Sequence, residues 1–247
     1  MKGLRLSEVS WEKAAELALE SYVVLLPVGA GTKEHGPHLP LGTDMFLAEE
    51  LANRLMEQAS VLVLPTLAYA YYPAFMDWPG SVSLEAEHFM AVVRDILISF
   101  HRHGFQKFLI LDTGISTHAP MRILSSDLYN QFGIRVAVTN AAALLEDIEY
   151  ELAEQEHGGH ADEMETSMML QIRPDLVNMA KAVQEYRPGK SLVSRSGQPK
   201  VVMGGKMDTK SGIHGDATLA NRQKGQKTLD AMTRDLVEFV ERFLQMA

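Results

Sequence analysis

Tyr22-Val23-Val24-Leu25-Leu26-Pro27-Val28 is an uninterrupted apolar run, and the polar segment that begins at Gly29 follows it directly. A short run without polar positions is typical of a strand that is buried on both faces of a parallel sheet. Three similar runs follow along the chain, separated by stretches with apolar residues at helical spacing. The runs are residues 61–64, 107–111 and 134–138, and the helical stretches are 45–58, 85–103 and 119–132.

Strands that alternate with helices indicate right-handed βαβ units, a parallel sheet and helices on both faces. We therefore predict the α/β class, with three α/β/α layers around a mainly parallel sheet. Residues 216–246 indicate one or two closing helices, and the charged N-terminal segment 1–17 looks helical. The length of 247 residues fits one large domain, spanning residues 1–247, or two small ones, and we expect the single domain.

Composition restricts the function of the chain. Hydrophobic residues make up 46% and charged residues 22%, which argues against disorder. The net charge of −9 argues against nucleic acid as the main partner, because phosphate binding needs clustered Lys and Arg. There is no cysteine, so a metal would be bound by His, Asp and Glu. We see no targeting segment or membrane span, so we expect a cytoplasmic protein without membrane contact.

Two polar segments follow predicted strands directly. Residues 29–44 follow the first strand and residues 112–118 follow the third. Ligands of open parallel sheets bind beyond the carboxyl ends of the strands, so both segments should lie along one edge and form a site. Residues 183–215 are rich in Gly, Ser, Lys and Pro and indicate loops, with a hairpin as an option. Long loops in compact domains are usually functional, and we expect this one to overhang the site.

Three polar clusters contain the candidate functional residues. They are Lys33, Glu34, His35, His38 and Asp44; the segment 112–118; and His157-Gly158-Gly159-His160-Ala161-Asp162-Glu163-Met164-Glu165-Thr166-Ser167. Imidazole with carboxylates suits zinc or manganese, and three protein ligands with an open position is the catalytic arrangement.

Each of these residues also has a structural explanation. Asp44 is a suitable cap for the helix that starts near Met45, and Glu165 and Thr166 could start another helix. A single loop histidine such as His38 or His214 is more often a surface or hydrogen-bonded residue than a ligand. Three clusters at predicted strand ends nevertheless favour a metal site.

The segment from Pro27 to Asp44, PVGAGTKEHGPHLPLGTD, closely resembles the signature of the creatininase (creatinine amidohydrolase) family, PVGSTEQHGPHLPLGTD. Residues 79–84 (PGSVSL), 160–167 (HADEMETS; family HAGExETS) and 212–218 (GIHGDAT; family GVxGDPT) match as well. The matches run from the first strand to the last helix, so the chain is identified as a member of this family. The resemblance implies an α/β/α fold, usually a homo-hexamer, and a site with two metals.

The resemblance also implies which residues bind metal. One metal takes the family residues that correspond to His35, Asp44 and Glu165, all present here. The other takes a Glu where this chain has Lys33, the same bridging Asp, and a His where this chain has Ile115. An ammonium group does not coexist with a divalent ion a few ångströms away. We therefore predict one divalent metal per chain, zinc first and manganese second, with Lys33 near the vacated position; a shifted register that makes Glu34 a ligand is the alternative.

Several residues have an expected catalytic role. His160 matches the proton-shuttling His of the family and is the expected general acid/base. Lys33 would stabilise an oxyanion or enolate, form a Schiff base if desolvated, or only neutralise Asp44. Gly159 stands where the family often has Glu. Four residues are expected to contact substrate: His118, Glu163, Asp77 and Trp78.

These departures disfavour creatininase activity itself. The family also includes hydrolases of formylaminopyrimidines, peptide-processing members and hydrolases that open a cyclic diketone derived from inositol. We expect a metal-dependent hydrolase that opens a small polar cyclic carbonyl compound, with 3-dehydro-scyllo-inosose and hydrolysis of a carbon–carbon bond as the candidate. The alternatives are an amidohydrolase acting on a cyclic amide or formamide, and a degenerate subunit or binding protein without catalysis.

Overall fold

Five parallel strands form the central sheet, in the order β1-β3-β2-β4-β5. The computed structural model describes residues 2–139, 141–187 and 208–246. The strands of the sheet are β1 (Leu4–Arg5), β2 (Val23–Val28), β3 (Val61–Val63), β4 (Lys107–Asp112) and β5 (Arg135–Val138). A separate antiparallel pair joins β6 (Gln184–Glu185) to β7 (Gly215–Asp216).

The central strand β2 has no polar residue because both of its faces are buried. All six of its residues are buried, and successive side chains point to opposite faces of the sheet. Val23 and Leu25 join one hydrophobic cluster, while Val24, Leu26 and Val28 join the other. Both faces are therefore covered by helices.

The helices form two layers, one on each face of the sheet. The helices are α1 (Trp11–Leu17), α2 (Thr43–Gln58), α3 (Ala86–Arg102), α4 (His118–Phe132), α5 (Ala141–Leu152), α6 (Glu163–Ile172) and α7 (Arg222–Gln245). Helices α1, α3 and α4 contribute to the first hydrophobic cluster, and α2, α5, α6 and α7 to the second. The three-layer α/β/α fold is confirmed.

Helix α7 lies very close to α6. A Cβ atom at Gly225 would overlap with the backbone carbonyl of Ser167, so only glycine fits at this crossing. Next to it, the Lys224 ammonium pairs with the buried carboxylate of Glu163. These two contacts hold the beginning of α6 against α7, and the beginning of α6 carries Glu165.

The predicted strands and the helices predicted at 45–58, 85–103 and 119–132 agree with the structure to within two residues at each end, whereas the closing helix predicted at 216–246 begins at Arg222. The N-terminal segment, expected to be helical, contains the short edge strand β1 before α1. Helix α5 was not predicted, and α6 was considered only as the alternative in which Glu165 and Thr166 start a helix. Of the long loop 183–215, residues 188–207 lie outside the described residues. Within the described ranges, no helix combines the length and the apolar character needed to cross a membrane.

Candidate active site

A cavity of about 420 Å³ lies beyond the carboxyl ends of the central strands. Val28 at the end of β2 pairs with Asp112 at the end of β4, so the two polar segments lie along one edge, as predicted. Residues from both segments and from the beginning of α6 share the cavity. Its lining includes Lys33, Tyr72, Phe75, Thr113, Ile115, Ser116, Gly159, His160, Glu165, Arg187 and His214.

Lys33 and Asp44 form a buried ion pair in this cavity. The Lys33 Nζ lies 2.6 Å from Asp44 Oδ2, and the two side chains are 6% and 1% exposed. The ammonium also lies 4.9 Å from the ring centroid of Phe75 and 5.2 Å from that of Tyr72. Burial raises the pKa of Asp44, but the Lys33 and His35 charges outweigh it and hold this pKa well below its usual range. The carboxylate of Asp44 therefore faces Lys33 and His35, rather than only capping α2.

His35 is placed so that a proton or a metal ion must lie between its ring and Asp44. Its Nδ1 lies 3.0 Å from the carbonyl oxygen of Lys33, and a carbonyl only accepts, so Nδ1 carries the proton. In the neutral ring Nε2 then presents a lone pair to Asp44 Oδ1 at 2.9 Å. Two lone pairs at this distance repel each other unless a proton or a metal ion lies between them. This donor set therefore fits a divalent metal.

Among the described residues, His35, His160 and Glu165 form a group that could hold a metal ion. One ligand atom of each lies within 4.8 Å of the others. Glu165 is held in the first turn of α6, where Asp162 caps the helix by accepting from the backbone N–H groups of Met164 and Glu165. Burial raises the pKa of Glu165 to about 7. Two of the three predicted ligands thus lie together, while Asp44 touches His35 and pairs with Lys33.

Asp112, the first residue of the second polar cluster, is a buried carboxyl group. Its Oδ1 accepts from the Gly114 backbone N–H at 3.0 Å and from the Thr117 hydroxyl at 2.6 Å. Its Oδ2 is buried and has no hydrogen-bond partner within the described part of the chain. Burial raises the pKa of Asp112 to about 7.

The raised pKa of Asp112 predicts a pH-dependent stability. The folded protein holds this proton between about pH 4 and pH 7 while the unfolded chain releases it, so stability decreases as pH rises through this window. Asp112→Asn, which keeps the oxygen acceptor, should remove this contribution. We expect the stability of the variant relative to the wild type to increase by a few kcal/mol from pH 4 to pH 8. Urea unfolding of chelator-treated protein at several pH values measures this difference in the free energy of unfolding. A difference that stays constant with pH would contradict the prediction.

The residues expected to contact substrate do not line the cavity. For Glu163 the structure corrects the expectation, because its fully buried carboxylate accepts from the backbone N–H groups of Glu154 and Gln155 and pairs with Lys224. The Nδ1 of His118 donates to the carbonyl oxygen of Thr139 at 3.0 Å. Two further residues, Asp77 and Trp78, follow a short 3-10 turn at Pro73–Phe75, and their contact with substrate stays a prediction.

The cavity contains residues that the sequence analysis did not propose. Tyr72 and Phe75 come from the loop after β3, where the segment AYYPAF is rich in aromatic residues and could have been noticed. Arg187 and His214 line the cavity from either side of residues 188–207. The expectation that the loop itself overhangs the site concerns residues that mostly lie outside those described.

The sequence is similar to enzymes of one family. A family profile described as creatinine amidohydrolase matches residues 7–240. A 3-dehydro-scyllo-inosose hydrolase of Thermotoga maritima is 24% identical over 98% of this chain and 83% of that protein. A creatinine amidohydrolase of Pseudomonas putida is 29% identical over 74% of this chain and 76% of that protein.

Solved structures show the same fold. A crystal structure of creatininase covers 100% of both chains with a TM-score of 0.81 at 22% identity. A manganese form of creatininase covers 99% of this chain and 100% of that one, with a TM-score of 0.77 at 22% identity. A zinc–zinc form of a creatininase variant covers 100% of both, with a TM-score of 0.78 at 22% identity. The profile match over nearly the whole sequence shows that the chain belongs to the creatininase family of hydrolases.

Proposed function

We propose that this protein is a hydrolase that uses one divalent metal per chain to open a small polar cyclic carbonyl compound, with 3-dehydro-scyllo-inosose as the first candidate. One observation carries the proposal. The Lys33 ammonium is ion-paired with Asp44 in the cavity, where a second divalent ion would need a carboxylate. The Thermotoga maritima relative, which matches 98% of this chain, supports the choice of candidate.

A single metal fits the remaining donors. Imidazole and carboxylate ligands suit zinc or manganese, and His35 and Asp44 are placed so that a metal ion can replace the proton between them. When bound, the metal supplies a Lewis acid that polarises a carbonyl group and lowers the pKa of a water. Ile115, which is 65% exposed, adds an aliphatic group to the cavity and no further ligand.

Lys33 is best suited to stabilise negative charge that develops on a substrate oxygen. The carboxylate at 2.6 Å and the two aromatic rings all favour the charged ammonium, whereas a Schiff base requires the neutral amine. A fixed cation in a buried cavity stabilises an oxyanion or enolate strongly, because no solvent has to reorganise.

These groups suit the hydrolysis of a carbon–carbon bond in a cyclic diketone. The hydroxyl of water adds to one carbonyl carbon, and the bond from this carbon to its neighbour breaks. The electron pair forms the enolate of the second carbonyl, whose oxygen the Lys33 ammonium would stabilise. A proton from the water ends on the carbon that leaves, so the product is one ring-opened keto acid that has gained one water.

The proposal is tested by metal analysis and a substrate panel. We expect about one zinc or manganese per chain by elemental mass spectrometry, and turnover of the cyclic diketone to a product 18 Da heavier. The panel should also contain creatinine, a formylaminopyrimidine and a short peptide. Turnover of the cyclic amide or formamide alone would establish the carbon–nitrogen alternative. Protein with neither metal nor turnover would support a non-catalytic subunit, and two metals per chain would contradict the role of Lys33.

The oligomeric state of the protein, its location in the cell and its partners are also part of this proposal. The family resemblance favours a homo-hexamer that acts on a small molecule in the cytoplasm, without nucleic acid or membrane as partner. Light scattering of the purified protein measures the assembly, and a monomeric mass would contradict it.

A further inference from the structure

We infer that His160 is a further ligand of the metal, beside His35 and Glu165, and that Glu34 is the residue that positions it. This inference rests on the single-metal site proposed above. It replaces the role of His160 as a general acid/base, which the family resemblance implies, and it gives a function to Glu34.

The hydrogen bonds of His160 determine which ring nitrogen is free. Its Nε2 lies 3.0 Å from the carbonyl oxygen of Glu34 and 3.1 Å from Glu34 Oε2. Both oxygens accept hydrogen bonds, so Nε2 carries the proton and Nδ1 presents a lone pair. The Nδ1 lies 3.9 Å from Glu165 Oε2, which is too long for a hydrogen bond. Two ligands about 2 Å from one ion lie up to about 4 Å apart, so this distance suits coordination.

Glu34 is itself held behind His160 rather than in the metal site. Its Oε1 accepts from the Gly36 backbone N–H, and its own backbone N–H donates to the Ser81 hydroxyl at 2.9 Å. Gly212, with a φ of +84°, lies against the carboxylate, and any Cβ atom there would overlap with it. Both carboxylate oxygens are thus occupied, which disfavours the alternative that Glu34 coordinates the metal directly.

The ring of His160 is fixed by further contacts. Its backbone is bridged to His214, with N···O distances of 2.8 and 3.4 Å. Its ring centroid lies 4.7 Å from that of Phe75 and 4.8 Å from that of His35. A carboxylate behind a ligating histidine fixes the tautomer and the orientation of the ring, and its loss typically weakens metal binding 10- to 100-fold. Glu34 has the position and the contacts for this role.

Zinc binding to the full-length protein tests the inference. Competition with a chromophoric chelator measures affinity, and the visible spectrum of cobalt-loaded protein reports the ligands. We expect His160→Gln to weaken zinc binding by at least 100-fold and Glu34→Gln by 10- to 100-fold, with altered cobalt spectra. The matched controls His88→Asn and Glu87→Gln change exposed residues of α3, away from the cavity, and should bind zinc like the wild type.

A second measurement needs no variant. X-ray absorption of the zinc-loaded wild type counts imidazole ligands, and we expect two, from His35 and His160. One imidazole, or unchanged zinc affinity in a folded His160→Gln protein with reduced turnover, would overturn the inference and restore the acid/base role. If the wild type binds no zinc or manganese, the proposed function itself fails, which is a different result.

Discussion

Replacing Lys33 by methionine is expected to lower kcat/KM by about 10²- to 10³-fold on the cyclic carbonyl compound that the wild type opens. Methionine has a similar length but no charge, so the change removes the fixed cation proposed to stabilise the developing oxyanion or enolate. Loss of one such group costs about this much in other enzymes. Steady-state kinetics measure it, with kcat expected to fall more than KM rises, because the interaction strengthens in the transition state.

The same substitution should destabilise the fold. It leaves the Asp44 carboxylate buried opposite an apolar group, and breaking a buried ion pair from one side costs about 3–5 kcal/mol. Urea unfolding measures the loss. A more conservative variant, Lys33→Arg, keeps the charge and should retain most of this stability.

A double variant separates the two roles of Lys33. In Lys33→Met with Asp44→Asn, both charges are absent, so stability should recover while turnover stays low. Recovery of both stability and turnover would mean that Lys33 only neutralises Asp44. Borohydride treatment in the presence of substrate should give no covalent adduct on Lys33, and a stable adduct would instead establish a Schiff base.

The fold could be predicted because its central elements carry their own patterns. The strand β2 is apolar at every position since both of its faces are buried, and the helices between the strands show one apolar stripe each. The strand β1 is two residues long, too short to leave a periodic pattern. Helix α6 was considered only as an alternative, because its first turn is acidic and this polar segment was interpreted as a cluster of ligands.

The site was predictable only in part, since pairings across the fold leave no local pattern. The resemblance brought together His35, Asp44 and Glu165, and the structure places all three at one edge of the sheet. The contact between Glu34 and His160 joins residues 126 positions apart, and neither residue alone indicates it. Glu163 was misassigned because an acidic residue in a polar cluster looks the same whether it faces a cavity or Lys224.

The most direct test of the single-metal site is to rebuild the second one. Lys33→Glu combined with Ile115→His supplies the carboxylate and the imidazole that the family resemblance requires at these two positions. Both residues line the same cavity, and Ile115 is 65% exposed, so an imidazole there displaces no core packing. We expect the double variant to bind about two zinc or manganese ions per chain, measured by elemental mass spectrometry after dialysis.

The single variants are the controls for this experiment. Ile115→His alone should still bind about one metal, because the Lys33 ammonium remains beside Asp44 and repels a second cation. Lys33→Glu alone removes this repulsion but lacks the imidazole, so a second ion should bind weakly and be lost on dialysis. If the double variant retained only one ion, the vacated site would be closed by something other than Lys33 and Ile115. Lys33 would then not be the group that excludes the second metal, and its ion pair with Asp44 would need another explanation.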